Sequence, residues 1–205
     1  MKKIFITGTS TEVGKTLVSA IVTEALKADY WKPIQAGELD YSDTDKVAEM
    51  ISNKKSVFHK NSYALQTPMS PHAAAEIDGI EISLKKITTP TTLNTLVIEG
   101  AGGLLVPLNN TATILDIIQA DYKIIVVSRH YLGSINHSLL TIKLLQEKGF
   151  QVAVIFSGNK NNSSESIIQK MTGASIIGRI DEEKNITKET ILKYADLFRE
   201  KLLVL

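Results

Sequence analysis

An α/β fold, with a mostly parallel central sheet covered by helices on both faces, is predicted by three features of the chain. Short apolar, β-branched runs alternate with longer amphipathic stretches. The apolar runs are unbroken rather than alternating, as in strands buried on both faces. A glycine-containing loop, "GTSTEVGKT" at Gly8–Thr16, follows the first of these runs and precedes a helical pattern. Strands separated by helices return by right-handed crossovers, which gives a three-layer sandwich. With the loop, the prediction becomes a sandwich of the P-loop NTPase type.

Strands are expected at Lys3–Thr7, Tyr30–Ile34, Thr95–Glu99, Lys123–Ser128, Val152–Ser157 and Ser175–Gly178. Helical patterns lie near 15–28, 43–53, 70–77, 113–120, 134–148, 163–172 and 188–202. In the 134–148 stretch, Ile135, Leu139, Ile142 and Leu145 recur at helical spacing, and Gly149 follows as a terminator. Pro90 should break any helix around it. The polar run Ser157–Ser166 reads as a flexible loop. No repeat or linker divides the chain, so residues 1–205 are expected to form one domain.

Composition narrows the function. Hydrophobic residues make up 43% of the 205, and the formal charge is +1 from 23 basic and 22 acidic residues. That balance gives no footprint for nucleic acid or anionic lipid. The absence of cysteine excludes disulfides, thiolate catalysis and Cys-ligated metals. The apolar run Ile4–Ile6 is too short for a secretory signal, and no stretch approaches the ~18 apolar residues of a membrane span. A cytoplasmic location is expected.

Ligands of such sheets bind at the carboxyl ends of the strands. The usual phosphate loop is GxxxxGK(S/T). Here Gly8 and Gly14 are one residue further apart, and on strict spacing Thr9 takes the first glycine's place. Gly14 lets backbone approach a phosphate, and the helix start adds free N–H groups. Lys15 would neutralise the terminal phosphates of a nucleotide, and the Thr16 hydroxyl would ligate Mg²⁺. An ordinary strand-to-helix turn is the alternative.

The other strand ends carry Lys32 in "WKPIQAG", Asp43 in "YSDTDKVAEM", Glu99 in "LVIEGAGGLLVPL" and Gly133-Ser134-Ile135-Asn136 in "SRHYLGSINHSLLT". Lys32 reads equally as a solvated lysine on a strand interrupted by Pro33 or as an anion-binding group. Asp43 before a helix reads first as an N-cap. Glu99, followed by Gly100, Ala101, Gly102 and Gly103, can reach a cation held at the first loop. Residues 133–136 offer helix N–H groups to an anion such as a carboxylate, or merely a Ser134 cap. His59, His72, His130 and His137 have no metal spacing.

These motifs, with "SPH" at Ser70–His72, resemble in order and residue the dethiobiotin synthase family, from the first strand to about Asn159. The resemblance implies an ATP-dependent ligase that carboxylates 7,8-diaminononanoate (diaminopelargonate) with CO₂, phosphorylates the carbamate and closes a ureido ring. It implies Lys15 and Lys32 as the groups on the carbamate and the transferring phosphoryl. It assigns the residues from Glu12 through Val13, Gly14, Lys15 and Thr16 to Leu17 to the phosphates. Thr16, Asp43 and Glu99 would lie around Mg²⁺, with Asp45 an alternative to Asp43. The run Glu99, Gly100, Ala101 and Gly102 would face the nucleotide, and Asn159 the adenine. Thr11, Lys32, Ala36, Ser70, Pro71, Gly133, Ser134, Ile135 and Asn136 would meet the diamine substrate, the last four across a homodimer. Ala36 stands where the family usually has Ser or Thr, and "GRIDEE" (178–183) lacks its usual proline.

A partitioning or septum-site type ATPase switch is the runner-up. It should carry a second lysine early in the loop, where "TGTST" has none. A related amidoligase with another substrate is the second alternative.

Overall fold

The apolar runs pair side by side into one seven-stranded sheet. The computed structural model describes residues 1–205. Its strands are β1 (Lys3–Gly8), β2 (Asp29–Trp31), β4 (Phe58–His59), β6 (Leu96–Gly103), β7 (Lys123–Arg129), β8 (Val152–Ser157) and β9 (Ser175–Ile180). They lie in the order β4-β2-β6-β1-β7-β8-β9, and every neighbouring pair is parallel. A separate parallel pair joins β3 (Ile34–Ala36) to β5 (Tyr63–Leu65).

The period of two sorts each strand's side chains into two cores. Ile4, Ile6, Ile125, Val127, Ala153 and Ile155 face one core, packed by α1 (Lys15–Leu26), α2 (Asp43–Met50) and α6 (Lys188–Leu203). Phe5, Ile124, Val126, Val154 and Phe156 face the other, packed by α3 (Pro71–Ile77), α4 (Ser134–Glu147) and α5 (Asn162–Thr172). The three-layer expectation holds. Gly149, at φ 83°, stands just past α4 as its terminator.

Four expectations are corrected, each for a local reason. The strand at 30–34 is two strands, because Lys32 and Pro33 leave the large sheet after Trp31 and the chain re-pairs in the small one. The helix at 113–120 is a single 3₁₀ turn, Ile114–Ile117, opened by a capping box between Thr113 and Asp116. The helix at 43–53 stops at Met50, with Ile51 extended. Only 158–161 of the polar run is loop, because the Asn161 side chain accepts from the Ser164 N–H and starts α5 at Asn162. Strands β4 and β5, two and three residues long, carry no periodicity that would announce them.

Gly178 on β9 lets α6 approach closely. A Cβ there would lie 2.3 Å from Cε1 of Phe198, whose ring is fully buried and has no room to retreat. Gly178→Ala is therefore expected to destabilise the fold by about 1–3 kcal/mol, read as a lower denaturation midpoint. An unchanged midpoint would mean that α6 is not held against β9 as described.

Candidate active site

The loop after β1 turns on three glycine-like positions. Gly8 ends β1, and a Cβ on it would meet Val13 Cγ2 at 2.6 Å and the Ser10 carbonyl at 2.7 Å, so the extra residue is accommodated by folding the loop back on the strand. Glu12 and Gly14 both have positive φ, 55° and 95°. For Glu12 that conformation is strained. Such turns aim successive N–H groups inward, as in an anion-binding nest. Gly14 is the N-cap of α1, with no side chain to satisfy the free N–H groups behind it.

Next to the loop, three charged side chains come together: Lys32 just after β2, Asp43 at the start of α2, and Glu99 within β6, a strand that runs on to Gly103 instead of ending at Glu99 as expected. The Lys32 ammonium lies 3.0 Å from Glu99 Oε1 and also bonds Asp43 Oδ2. Lys32 is 5% exposed and Glu99 1%. The Thr16 hydroxyl lies 3.0 Å from Glu99 Oε1 and 3.3 Å from Asp43 Oδ1. Tyr30, two residues before Lys32, donates its hydroxyl to Glu99 Oε2 at 2.9 Å. Burial and the Glu99 carboxylate push that phenol's pKa well up. Lys32 is thus no solvated strand lysine.

Asp43 is not the helix cap either. Ser42 is, and Asp45 completes its capping box, accepting from the Ser42 N–H at 2.8 Å and hydroxyl at 2.6 Å. Asp45 is therefore committed to the helix start, while Asp43, at the first helical position, points to Lys32 and Thr16. Its own N–H donates to Gln35 Oε1 at 3.3 Å.

The two lysines differ in sign. For Lys32, burial opposes the charge, but Glu99 and Asp43 outweigh it and raise the pKa above the ordinary 10.5. Burial likewise opposes the charge of Asp43, yet Lys32 holds its pKa below 3.8. The pair therefore stabilises the fold in full between those two values. That stability is lost as pH falls through the Asp43 pKa or rises through that of Lys32. Lys15 is 8% exposed and its Nζ donates to the Ser10 carbonyl at 3.0 Å. Burial first, and Lys32 next among the unfavourable charges, lower its pKa to about 8, against the pull of Glu99 and Asp43. Its charge thus destabilises the fold below pH 8, an opposition that fades as pH rises toward 10.5.

These groups face one cavity of about 740 Å³, lined among others by Thr11, Glu12, Gly14, Lys15, Thr16, Lys32, Ala36, Asp43, Ser70, Pro71, Glu99, Ala101 and Gly102. The Ser70 hydroxyl, 3.1 Å from His72 Nδ1, offers a polar group on the same wall as Ala36. Eight anticipated residues lie elsewhere. Val13 is buried in a core. Gly100 packs in β6, where a Cβ would touch the Phe5 ring at 3.1 Å. Leu17 lines a second cavity of about 460 Å³, with Gly14, Ser157, Gly158 and residues 180–184. Asn159 is exposed beside it, its amide 3.4 Å from Glu182 Oε2.

Asn136 lines a third cavity, about 900 Å³, which meets the first at Thr11 and Val106. Gly133, at φ 99°, caps α4 without a side chain, so Ser134 is no cap, and its buried carbonyl accepts from the Ser138 hydroxyl. Ile135 packs on a core. Sequence reading missed Tyr30, Gln35, Lys46 and Arg129, of which the last three line the first cavity. Tyr30 shares a strand face with Lys32, and Lys46 lies one turn after Asp43. Those spacings were the available signals. Lys46 is held by Glu38, 3.6 Å from Asp43 Oδ1.

A family model described as an AAA domain matches residues 2–190. Among curated relatives, the ATP-dependent dethiobiotin synthetase of Christiangramia forsetii is 56% identical over 98% of both chains. That of Cytophaga hutchinsonii is 50% identical, covering 95% of this chain and 96% of its own. Among solved structures, a plasmid partition protein from Borrelia burgdorferi aligns with a TM-score of 0.57 at 15% identity, over 100% of this chain and 99% of that one. The MinC:MinD cell division complex of Aquifex aeolicus gives 0.58 at 16%, over 100% and 96%. At such identities these last two share the phosphate-loop fold alone.

Replacing the two lysines should move stability in opposite directions. Lys32→Met leaves two buried carboxylates facing each other and should lose about 3–5 kcal/mol near neutral pH. Lys15→Met removes a charge that the fold disfavours and should raise the denaturation midpoint at pH 7. Equal losses in both variants would contradict the opposite electrostatic roles.

Proposed function

This chain belongs to the ATP-dependent dethiobiotin synthetase family, and from that premise we propose how its residues divide the work of the reaction. The activity is that of a ligase in biotin biosynthesis, joining CO₂ to 7,8-diaminononanoate with ATP converted to ADP and phosphate. One amine takes up CO₂ and loses a proton to give a carbamate. A carbamate oxygen attacks the γ-phosphorus and ADP departs. The second amine then attacks the carbonyl carbon of this carbamic–phosphoric anhydride, phosphate leaves, and the ureido ring is closed.

Two anions must meet in the second step, so cations are what the site most needs. The observation carrying the assignment is that Lys15 and Lys32 are both buried on one cavity wall beside an anion-binding loop turn. Lys15, with a single carbonyl partner, takes the γ-phosphate. Lys32, at the far side of Glu99, takes the carbamate. No protein nucleophile is needed.

Thr16, Asp43 and Glu99 present only oxygen atoms, the Thr16 hydroxyl lying within 3.3 Å of both carboxylates, which is a donor set suited to Mg²⁺. A bound Mg²⁺ would neutralise charge on the β- and γ-phosphates. The nucleoside would continue past Gly14 and Leu17 into the second cavity, toward Asn159. The Gly133–Asn136 helix start would receive the substrate carboxylate across a homodimer. That reading is supported by the exposure of Leu105 and Leu140, which line the groove with Asn136. Residues 1–205 would act as one ligase domain. The near-neutral charge favours small-molecule partners over nucleic acid, and no helix is long and apolar enough to cross a membrane. We place the reaction in the cytoplasm.

ATP turnover measured with and without 7,8-diaminononanoate and bicarbonate, with the product identified by mass, tests this reading. Turnover should require the diamine and yield dethiobiotin. Lys32→Ala should lower kcat by about 10²–10³ while leaving ATP affinity nearly unchanged. Substrate-independent turnover would support the switch alternative. Near-normal kcat in the variant would remove Lys32 from the chemistry.

A further inference from the structure

The phosphate cavity and the nucleoside-side cavity share only two lining residues, Gly14 and Arg129. Gly14 is the loop glycine at the start of α1. Arg129 ends β7, the strand beside β1, and is paired in register with Ser157 of β8. Ser157 in turn abuts the loop: its hydroxyl lies 3.4 Å from where a Cβ of Gly14 would stand. The arginine stem runs over Gly158, with Cγ 3.9 Å from a Cβ built there, and its guanidinium donates to Glu182 Oε1 at 2.7 Å. A nucleotide with its terminal phosphates at Lys15 and Thr16 and its nucleoside in the second cavity must thread between these two residues.

We propose that Arg129 is a nucleotide-binding residue that grips the diphosphate linkage of ATP in this passage, exchanging its Glu182 partner for phosphate oxygens. The proposal rests on the reading that ATP lies across both cavities. The exchange is chemically cheap. Arg129 and Glu182 have half-exposed side chains, and pairs of that kind contribute little to stability. The planar guanidinium fork suits phosphate oxygens, which bear more charge in a more enclosed place. Arg129 lies on the β7 side of the loop, away from Lys32 on the β6 side, so its contact falls on the diphosphate and not on the transferring group.

Isothermal titration of ATP, ADP and adenosine into wild type, Arg129→Ala, Arg129→Lys and Glu182→Gln tests the assignment. Arg129→Ala should weaken ATP and ADP by the same factor, about 10–100-fold, leave adenosine unchanged and leave the melting temperature near wild type. Arg129→Lys should recover part of the loss. Glu182→Gln should bind ATP at least as tightly as wild type, because the competing carboxylate is gone. A loss shared by adenosine, or an equal ATP loss in Glu182→Gln, would make Arg129 a shaper of the loop and overturn the proposal. A loss confined to ATP would put the guanidinium on the γ-phosphate and overturn it too. Failure of wild type to bind ATP would instead defeat the ATP reading itself.

Discussion

The Lys32 ammonium and the Glu99 carboxylate are buried together, with the part-exposed Asp43 carboxylate closing over the lysine, and neither buried charge is tolerable without the other. An isolated buried charge carries a desolvation penalty of several kcal/mol, and a pair recovers it only with good geometry and further hydrogen bonds. Here those bonds come from Tyr30 and Thr16 to the carboxylates. The positions follow from the sheet: β2, β6 and β1 are adjacent and parallel, so all three deliver their carboxyl ends to one place. The break of the chain at Lys32-Pro33 lets the lysine turn toward Glu99 instead of continuing a ladder. Under the proposed division of work, order along the sheet would become order across the site, from acceptor at β2 and β6 to phosphate loop at β1 to nucleoside at β7 through β9.

Lys15 and Lys32 stand in opposite electrostatic positions. Lys32 is balanced by its carboxylates. Lys15 is left with a single carbonyl and a pKa drawn down to about 8, a charge the fold holds against its own stability. The strained φ of Glu12 adds to the same reserve. A bound phosphate would relieve both, and the stability given up at Lys15 and Glu12 would become affinity for it.

Much of this was legible in the sequence because the relevant signals are local. The unbroken strands, the Gly-Lys-Thr at a helix start and the acid that closes the apolar run of β6 need no tertiary information, and the main strands lie within a few residues of their expected bounds. What was not legible depends on contacts between distant segments. Whether Asp43 or Asp45 faces the site is decided by Ser42, which captures Asp45 in a capping box. Whether Lys32 is wet or buried is decided by Glu99, 67 positions away along the chain. Arg129 carried no signal in the sequence, and only the fold sets it beside Gly14. The short strands β4 and β5 owe their pairing to neighbours rather than to any period of their own.

Ring closure through a phosphorylated carbamate requires that one oxygen pass from CO₂ to phosphate. Brief incubation of the protein with ATP, 7,8-diaminononanoate and ¹⁸O-labelled bicarbonate, before hydration exchanges the label with water, should yield phosphate carrying ¹⁸O. Label should appear in step with dethiobiotin. Unlabelled phosphate formed at the same rate would mean that water, not a carbamate held by Lys32, is the phosphoryl acceptor, and the central assignment would fail.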